Sequence, residues 1–495
     1  MALSIAKKEA SLLERIRGLL PGGDVDAYLV GGYIRDTLLG RKTRDIDIAV
    51  GASATDVARV VAAALDGHYV LLDEAQGIAR VVLVESEAAR ETQWHLDFST
   101  IRGTIEADLS CRDFTIDAMA IDLGDIGKGS PPRLIDPFLG QKDLESGLIK
   151  AVGVSIFEDD PARLVRGVRL AAEYGFTIDA GTEAMMGNQS HLINRVAGER
   201  VREELCRIFS VGNAAHFIFY LDRLGLLTVI IPELTFTKGV DQPREHYWDV
   251  FNHSVQSVAT LERLLDKTTG PELLILAPHL VPHIGEFEEE ISLGLTRAGL
   301  VKLAVLLHDI AKPQTKTLVP DGRAHFFGHP TQGAEVTGNI LQRLRFSNRE
   351  IKMVQKMIES HLRLWQMGDD LPTRRAIYRY FRDTADVSID IIFLTLADFL
   401  ATQGPNLDVA EWEGHCRLME YVLAQREEDE TVAAPPKLID GHDLMREFGL
   451  KPGPKVGETL EAVREAQGAG ELSTKEEALA FARRHLEPRD NPAQK

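Results

Sequence analysis

Sulfur has little to offer in this 495-residue chain, which carries three cysteines, Cys111, Cys206 and Cys416, at unrelated spacings. An odd and scattered set excludes a disulfide framework and a cysteine-built zinc site, and it fits a reducing compartment. Long apolar runs are missing too. No stretch reaches the roughly 18 apolar residues that a membrane-spanning helix needs. The opening MALSIAKKEASLLERIRGLL has the pattern of an amphipathic helix rather than a signal peptide. The expectation is a cytoplasmic protein with no membrane partner. No internal repeat stands out. Positive charge is also short, since 56 Lys and Arg against 75 Asp and Glu leave a net charge of −19. That balance weighs against nucleic acid, whose binding is driven by cationic side chains releasing counterions. Local distribution works the other way. RDTLLGRKTR and RVAGERVREELCR are basic segments, and divalent metals offset carboxylates at a polyphosphate site.

What is present divides into two regimes. From about 25 to 155, short β-rich runs (AYLVGG, DIDIAV, HYVLLD, ARVVLVE, WHLDFSTI, AIDL) alternate with helical stretches such as TDVARVVAAALDG. From about 157 onward nearly every segment has helical period, which predicts an α+β chain with an all-α body. Soft boundaries fall near 212–217, 243–250 and the charged, proline-containing 426–441, and the EPRDNPAQK end reads as disordered.

The segment LVGGYIRDTLLGRKTRDIDIAV concentrates the chemistry. On a strand, Asp45 and Asp47 share one face while Ile46 and Ile48 share the other. Adjacent carboxylates repel unless a cation lies between them, and oxygen-rich sites suit Mg²⁺. An isolated D-x-D more often means a solvated edge strand. Here Gly31 and Gly32 follow a β run and open the helix YIRDTLL, where backbone N–H groups can cradle phosphates, with Arg35 and Asp36 in its first turns.

The order Gly-Gly-x-x-Arg-Asp, Asp-x-Asp, CRDFTIDAMAID, DPFLGQKDLESGLIKAVG, DDPARLVRGVRLAAEYGF and ERVREEL resembles the class II tRNA nucleotidyltransferase and bacterial poly(A) polymerase family across about residues 25–235. The resemblance implies a polymerase β-type nucleotidyltransferase head, a small mixed sheet with helices, followed by helical neck, body and tail. It implies Mg²⁺ as head cofactor, CTP and ATP as substrates and tRNA as partner. Asp45 and Asp47 are then metal ligands, and Asp97 in WHLDFSTIR is a third catalytic carboxylate. A paired strand aspartate is the competing reading of Asp97. Arg112 and Asp113 would contact triphosphate and ribose. Cys111 stands where many members have arginine, and Asp117 where many have asparagine.

Asp160, Arg163 and Arg166 recur every three residues, which on a helix places them on one face. An aspartate accepts from an exocyclic amino group and an arginine donates to ring nitrogen or carbonyl, so the pair can read cytosine or adenine. The resemblance assigns this role to Asp160 and Arg163, with Arg166 beside them. An isolated D-x-x-R is more often a surface ion pair. Between FSTIRG and DLSCRDF lies only TIEA, where many full CCA-adding members have a longer stretch. CC-adding, A-adding and poly(A) polymerase variants therefore remain open beside full CCA addition.

Downstream, His253, His308, Asp309, His329, His361 and Asp398 follow the order of an HD-type phosphohydrolase domain. Singly, such histidines are usually structural. As a set they suit a second divalent metal of unspecified identity. An HD-type phosphohydrolase of nucleotides or 2′,3′-cyclic phosphates is the alternative activity. The expected divisions are a head over 1–155, a base-reading and RNA-binding neck over 156–240, an HD-type domain over 241–430 and a helical tail over 431–495.

Overall fold

The computed structural model describes residues 5–21, 25–87, 90–128, 131–243, 246–292, 294–318, 324–367, 371–428 and 437–487. Residues 488–495, most of the end expected to be disordered, lie outside them. The chain forms two compact units, one of residues 1–196 and 220–230, the other of 197–219 and 231–495.

The first unit is built on a seven-stranded mixed sheet in the order β3-β4-β5-β2-β1-β6-β7. Its strands are β1 (Ala27–Val30), β2 (Asp45–Val50), β3 (His68–Asp73), β4 (Ile78–Glu87), β5 (Arg90–Thr100), β6 (Ala120–Asp122) and β7 (Leu134–Ile135). All six β-rich runs of the sequence are strands, and β7 is a further short one. β2 pairs parallel with β5 and antiparallel with β1. It is therefore central, which removes the solvated-edge explanation of its aspartates. Alternation then sorts the side chains: Ile46 and Ile48 are fully buried, whereas Asp45 is exposed and Asp47 half-buried. The helix Ala54–Leu65 covers β4 and β5 with Val57, Ala58 and Val61, and Ser53 caps it by accepting from Asp56 N–H.

The expected run of three residues on one helix face is only partly realised. The helix is Arg163–Tyr174, and Asp160 lies ahead of it in extended conformation with φ −147° and ψ 97°. The cause is local: Pro161 disfavours helical backbone in the residue before it. Arg163 and Arg166 do share the first turn.

The second unit is helical apart from short two-stranded ribbons. Two of its helices, Arg297–Leu307 and Ser388–Gln403, are buried on nearly all sides, as expected of helices apolar around their whole circumference. Buried Asp390 in the second is neutralised by Arg297, which donates from Nε at 2.7 Å and Nη2 at 3.1 Å. Helices Val250–Leu265 and Asn348–Ser360 pack against both, and His329–Arg343 packs on Asn348–Ser360. Among the described residues no helix is long and apolar enough to cross a membrane.

Candidate active site and body metal centre

In the head, register does the positioning. Asp47 stands opposite Asp97 across the parallel β2–β5 pair, and Asp45 opposite His95. The three carboxylates expected to act together thus lie on one face of neighbouring strands. Two of them carry lateral partners that the sequence reading missed. Arg80 on β4 donates Nε to Asp97 Oδ1 and Nη2 to Oδ2, both at 2.7 Å, and His95 Nδ1 lies 3.0 Å from Asp45 Oδ1. Burial pushes the Asp47 carboxyl up to about 6; Arg112 and Arg166 pull it down, while Asp97 and Asp117 add to the rise. An acid so disposed favours either a proton or a metal cation.

Gly31 brings backbone up to this carboxylate. It has φ +69°, and a Cβ there would lie 2.8 Å from Arg112 Nη1 and 2.9 Å from Asp47 Oδ2. The close approach leaves the Arg112 guanidinium beside the acidic pair. Asp113 is buried, and burial opposes its charge. Arg166, the Phe114 N–H, Arg163 and Arg112 outweigh that, holding its carboxyl below the usual range. Arg166 Nε lies 2.8 Å from Asp113 Oδ2, and Arg163 donates Nη2 to the Cys111 carbonyl at 2.9 Å. The helix that starts at Arg163 is therefore tied to the 111–113 segment, next to the carboxylates. The Cys111 side chain itself is exposed.

Arg35 and Asp36 are placed differently. Arg35 is buried, donates Nη1 to Asp117 at 2.5 Å and Nε and Nη2 to Asp36, and lies 4.6 Å from the centre of the Tyr174 ring. Tyr174 Oη donates to Asp36 at 2.7 Å. These expected nucleotide contacts form a closed internal network. Asp117 supplies its buried anion.

In the body, all six residues expected to hold a metal converge. His253, His308, Asp309, His329, His361 and Asp398 are all buried. His253 Nε2 lies 2.9 Å from Asp398 Oδ1, His308 Nε2 lies 3.2 Å from Asp309 Oδ2, and His329 Nε2 lies 3.3 Å from Asp309 Oδ1. His308, His329 and His361 each donate Nδ1 to the carbonyl three residues earlier, at Val305, Phe326 and Ile358, over 2.6–2.7 Å. A carbonyl only accepts, so each Nδ1 is a donor, which leaves Nε2 as the ring atom turned toward the cluster and able to ligate a metal once it is deprotonated. That is the outer support metal-bound imidazoles have elsewhere. His253, His308 and Asp398, and likewise His308, Asp309 and His361, bring their ligand atoms within 4.8 Å of one another. These donors fit a divalent metal. Lys312, one turn after Asp309 and also missed, places Nζ 2.6 Å from Asp309 Oδ2 and from Gln242 Oε1.

A central acidic strand, a third in-register carboxylate and an arginine wall define a nucleotidyltransferase head, here joined to an HD-type body. Residues 27–150 match the poly A polymerase head domain, 175–237 the probable RNA and SrmB-binding site of polymerase A, 250–403 the HD domain and 329–482 the putative tRNA nucleotidyltransferase domain 2. The A-adding tRNA nucleotidyltransferase of Deinococcus radiodurans is 34% identical over 479 residues, covering 96% of this chain and 98% of that one. The CC-adding tRNA nucleotidyltransferase of Thermus thermophilus is 33% identical, covering 92% and 93%. The chain belongs to the tRNA nucleotidyltransferase family. In fold it is similar to the Thermotoga maritima CCA-adding enzyme complexed with tRNA-CCA, with a TM-score of 0.61 and 24% identity over 98% of this chain and 97% of that one.

Proposed function

We propose that this protein adds CMP and AMP from CTP and ATP to the 3′ end of tRNA, building or repairing the CCA terminus without a template. The observation that carries this reading is the register of Asp45, Asp47 and Asp97 on one face beside Arg112 and Arg166. Asp45 and Asp47 fit Mg²⁺, which when bound supplies charge stabilisation for the attacking and leaving oxygens of an in-line displacement. Asp97 completes the acidic face. Arg112 offers its guanidinium to the triphosphate, and Gly31 and Gly32 allow close approach. Asp113 fixes Arg166, the Cys111 carbonyl holds Arg163 toward the same segment, and Asp160 and Arg163 read the base by an acceptor and a donor. In this division residues 1–155 transfer the nucleotide, 156–240 select the base and hold RNA, 241–430 form the HD-type domain and 431–495 the tail.

A part-reaction of the same chemistry is a second reading, because residues 104–107 are so short a link. Thr104 accepts from Ala107 N–H and caps the helix Ile105–Ser110 directly. Extension of tRNA transcripts ending before CCA, after CC or complete, with each NTP singly, tests both. Incorporation of C then A supports full addition, C alone or A alone supports the part-reaction, and no incorporation with Mg²⁺ or Mn²⁺ defeats the transferase reading. For the body we propose metal-dependent phosphoester hydrolysis, supported by three imidazoles whose Nδ1 atoms donate to backbone carbonyls and so turn Nε2 toward the carboxylates of the cluster. Hydrolysis of 2′,3′-cyclic nucleotides that survives Asp45→Ala and is lost in His308→Ala/Asp309→Ala tests it.

A further inference from the structure

Among the described residues, the acidic face of the head carries a cation, Arg80, that neither the triphosphate nor the base accounts for. Arg80 lies on β4 directly opposite Asp97, on the face that carries Asp47. Its planar fork engages both Asp97 oxygens at 2.7 Å, and both side chains are only partly exposed. The ion pair with Asp97 raises the guanidinium's pKa, so its charge is fixed.

We propose that Arg80 is a positioning residue of the metal site, holding the Asp97 carboxylate in one plane beside Asp47. This rests on the reading that Asp45, Asp47 and Asp97 take a divalent metal. A carboxylate oxygen has two lone pairs, and the fork uses one on each oxygen. The others stay free. Without Arg80, Asp97 would rotate away from Asp47, because two carboxylates in register repel. A plain sheet staple is the rival role. β4 and β5 already pair at ten successive positions, and a partly exposed ion pair adds little to so long a hairpin.

Lysine separates the two roles. Arg80→Lys keeps a cation at the cross-strand position but cannot grip both oxygens in one plane. Arg80→Lys and Arg80→Ala are compared with wild type in the full chain. Mn²⁺ binding is read by electron paramagnetic resonance with and without α,β-methylene-CTP, so that the nucleotide-dependent increment reports the head alone. Thermal melting and the kcat and KM of single-nucleotide addition complete the set. Positioning predicts that both variants lose roughly 10- to 100-fold in nucleotide-dependent Mn²⁺ affinity and in kcat, with KM for CTP and the melting temperature little changed. Recovery of Mn²⁺ affinity and kcat in Arg80→Lys overturns the proposal in favour of a staple. A raised KM with unchanged kcat overturns it in favour of a nucleotide contact. Asp45→Asn is the control: if it retains the nucleotide-dependent Mn²⁺, the metal reading itself fails, whatever Arg80 does.

Discussion

Asp47 and Asp97 face the same side of the sheet at the same level of two parallel strands, one half-buried and, among the described residues, without a lateral ion pair, the other gripped by arginine. The difference assigns them different sensitivities. If Asp47 is a metal ligand as proposed, Asp47→Ala should lower addition by about a thousandfold, since several kcal/mol of charge stabilisation corresponds to that factor. tRNA binding, measured by filter retention, should persist. Normal turnover in Asp47→Ala refutes its metal role.

Proton linkage gives a second outcome. Folding raises the Asp47 carboxyl from 3.8 to about 6, so its contribution to stability is full below about pH 4 and is lost as pH rises through 6. In metal-free protein, Asp47→Asn should therefore melt higher than wild type at pH 7.5, and the gap should close below pH 4. Added Mg²⁺ should stabilise wild type at pH 7.5 and not at pH 4.5, because proton and metal compete. Equal melting of the two proteins at every pH would remove the linkage.

Gly31 and Gly40 form a matched pair of tests. Both have φ near +69°, but a Cβ on Gly40 meets nothing within 4 Å, whereas one on Gly31 meets Arg112 and Asp47. Gly40→Ala should cost about 1–3 kcal/mol in backbone strain, read by denaturant melts, and Gly31→Ala more, because its Cβ must also displace Arg112 and Asp47. Gly31→Ala alone should abolish nucleotide addition.

Arg163→Ala should relax the choice of CTP and ATP over UTP and GTP more than it slows addition of a permitted nucleotide. It also removes donors to the Cys111 and Ile156 carbonyls, so a stability loss of about 1–2 kcal/mol should accompany it. Unchanged discrimination in competition assays counts against a base-reading role.

In the body, His308→Ala with Asp309→Ala should empty the centre of metal, measured by inductively coupled plasma mass spectrometry. Lys312→Ala should retain it, since a charged ammonium has no lone pair to donate. Metal loss in Lys312→Ala would place that side chain among the supports of the site.

The strands and the acidic pair were legible because DIDIAV alternates so strictly, and the HD ligands because their order along the chain is distinctive. Arg80 was not, since its meeting with Asp97 depends on the register of a hairpin that no short motif encodes. The Arg35 network was equally hidden, because it closes over 82 residues to Asp117 and 138 from Asp36 to Tyr174. Asp160 is the instructive error. Spacing placed it on the helix, although the proline that follows carried the contrary signal.

The buried meeting of Arg35 with Asp117 also limits what position 117 can hold. The guanidinium packed against it leaves Asp117 only 2% exposed, and Asp36 is the cation's other acidic neighbour. Asparagine at 117 would strip a sequestered cation of one of these two counter-charges. The two positions are therefore coupled: a change at either one alters what the other can tolerate.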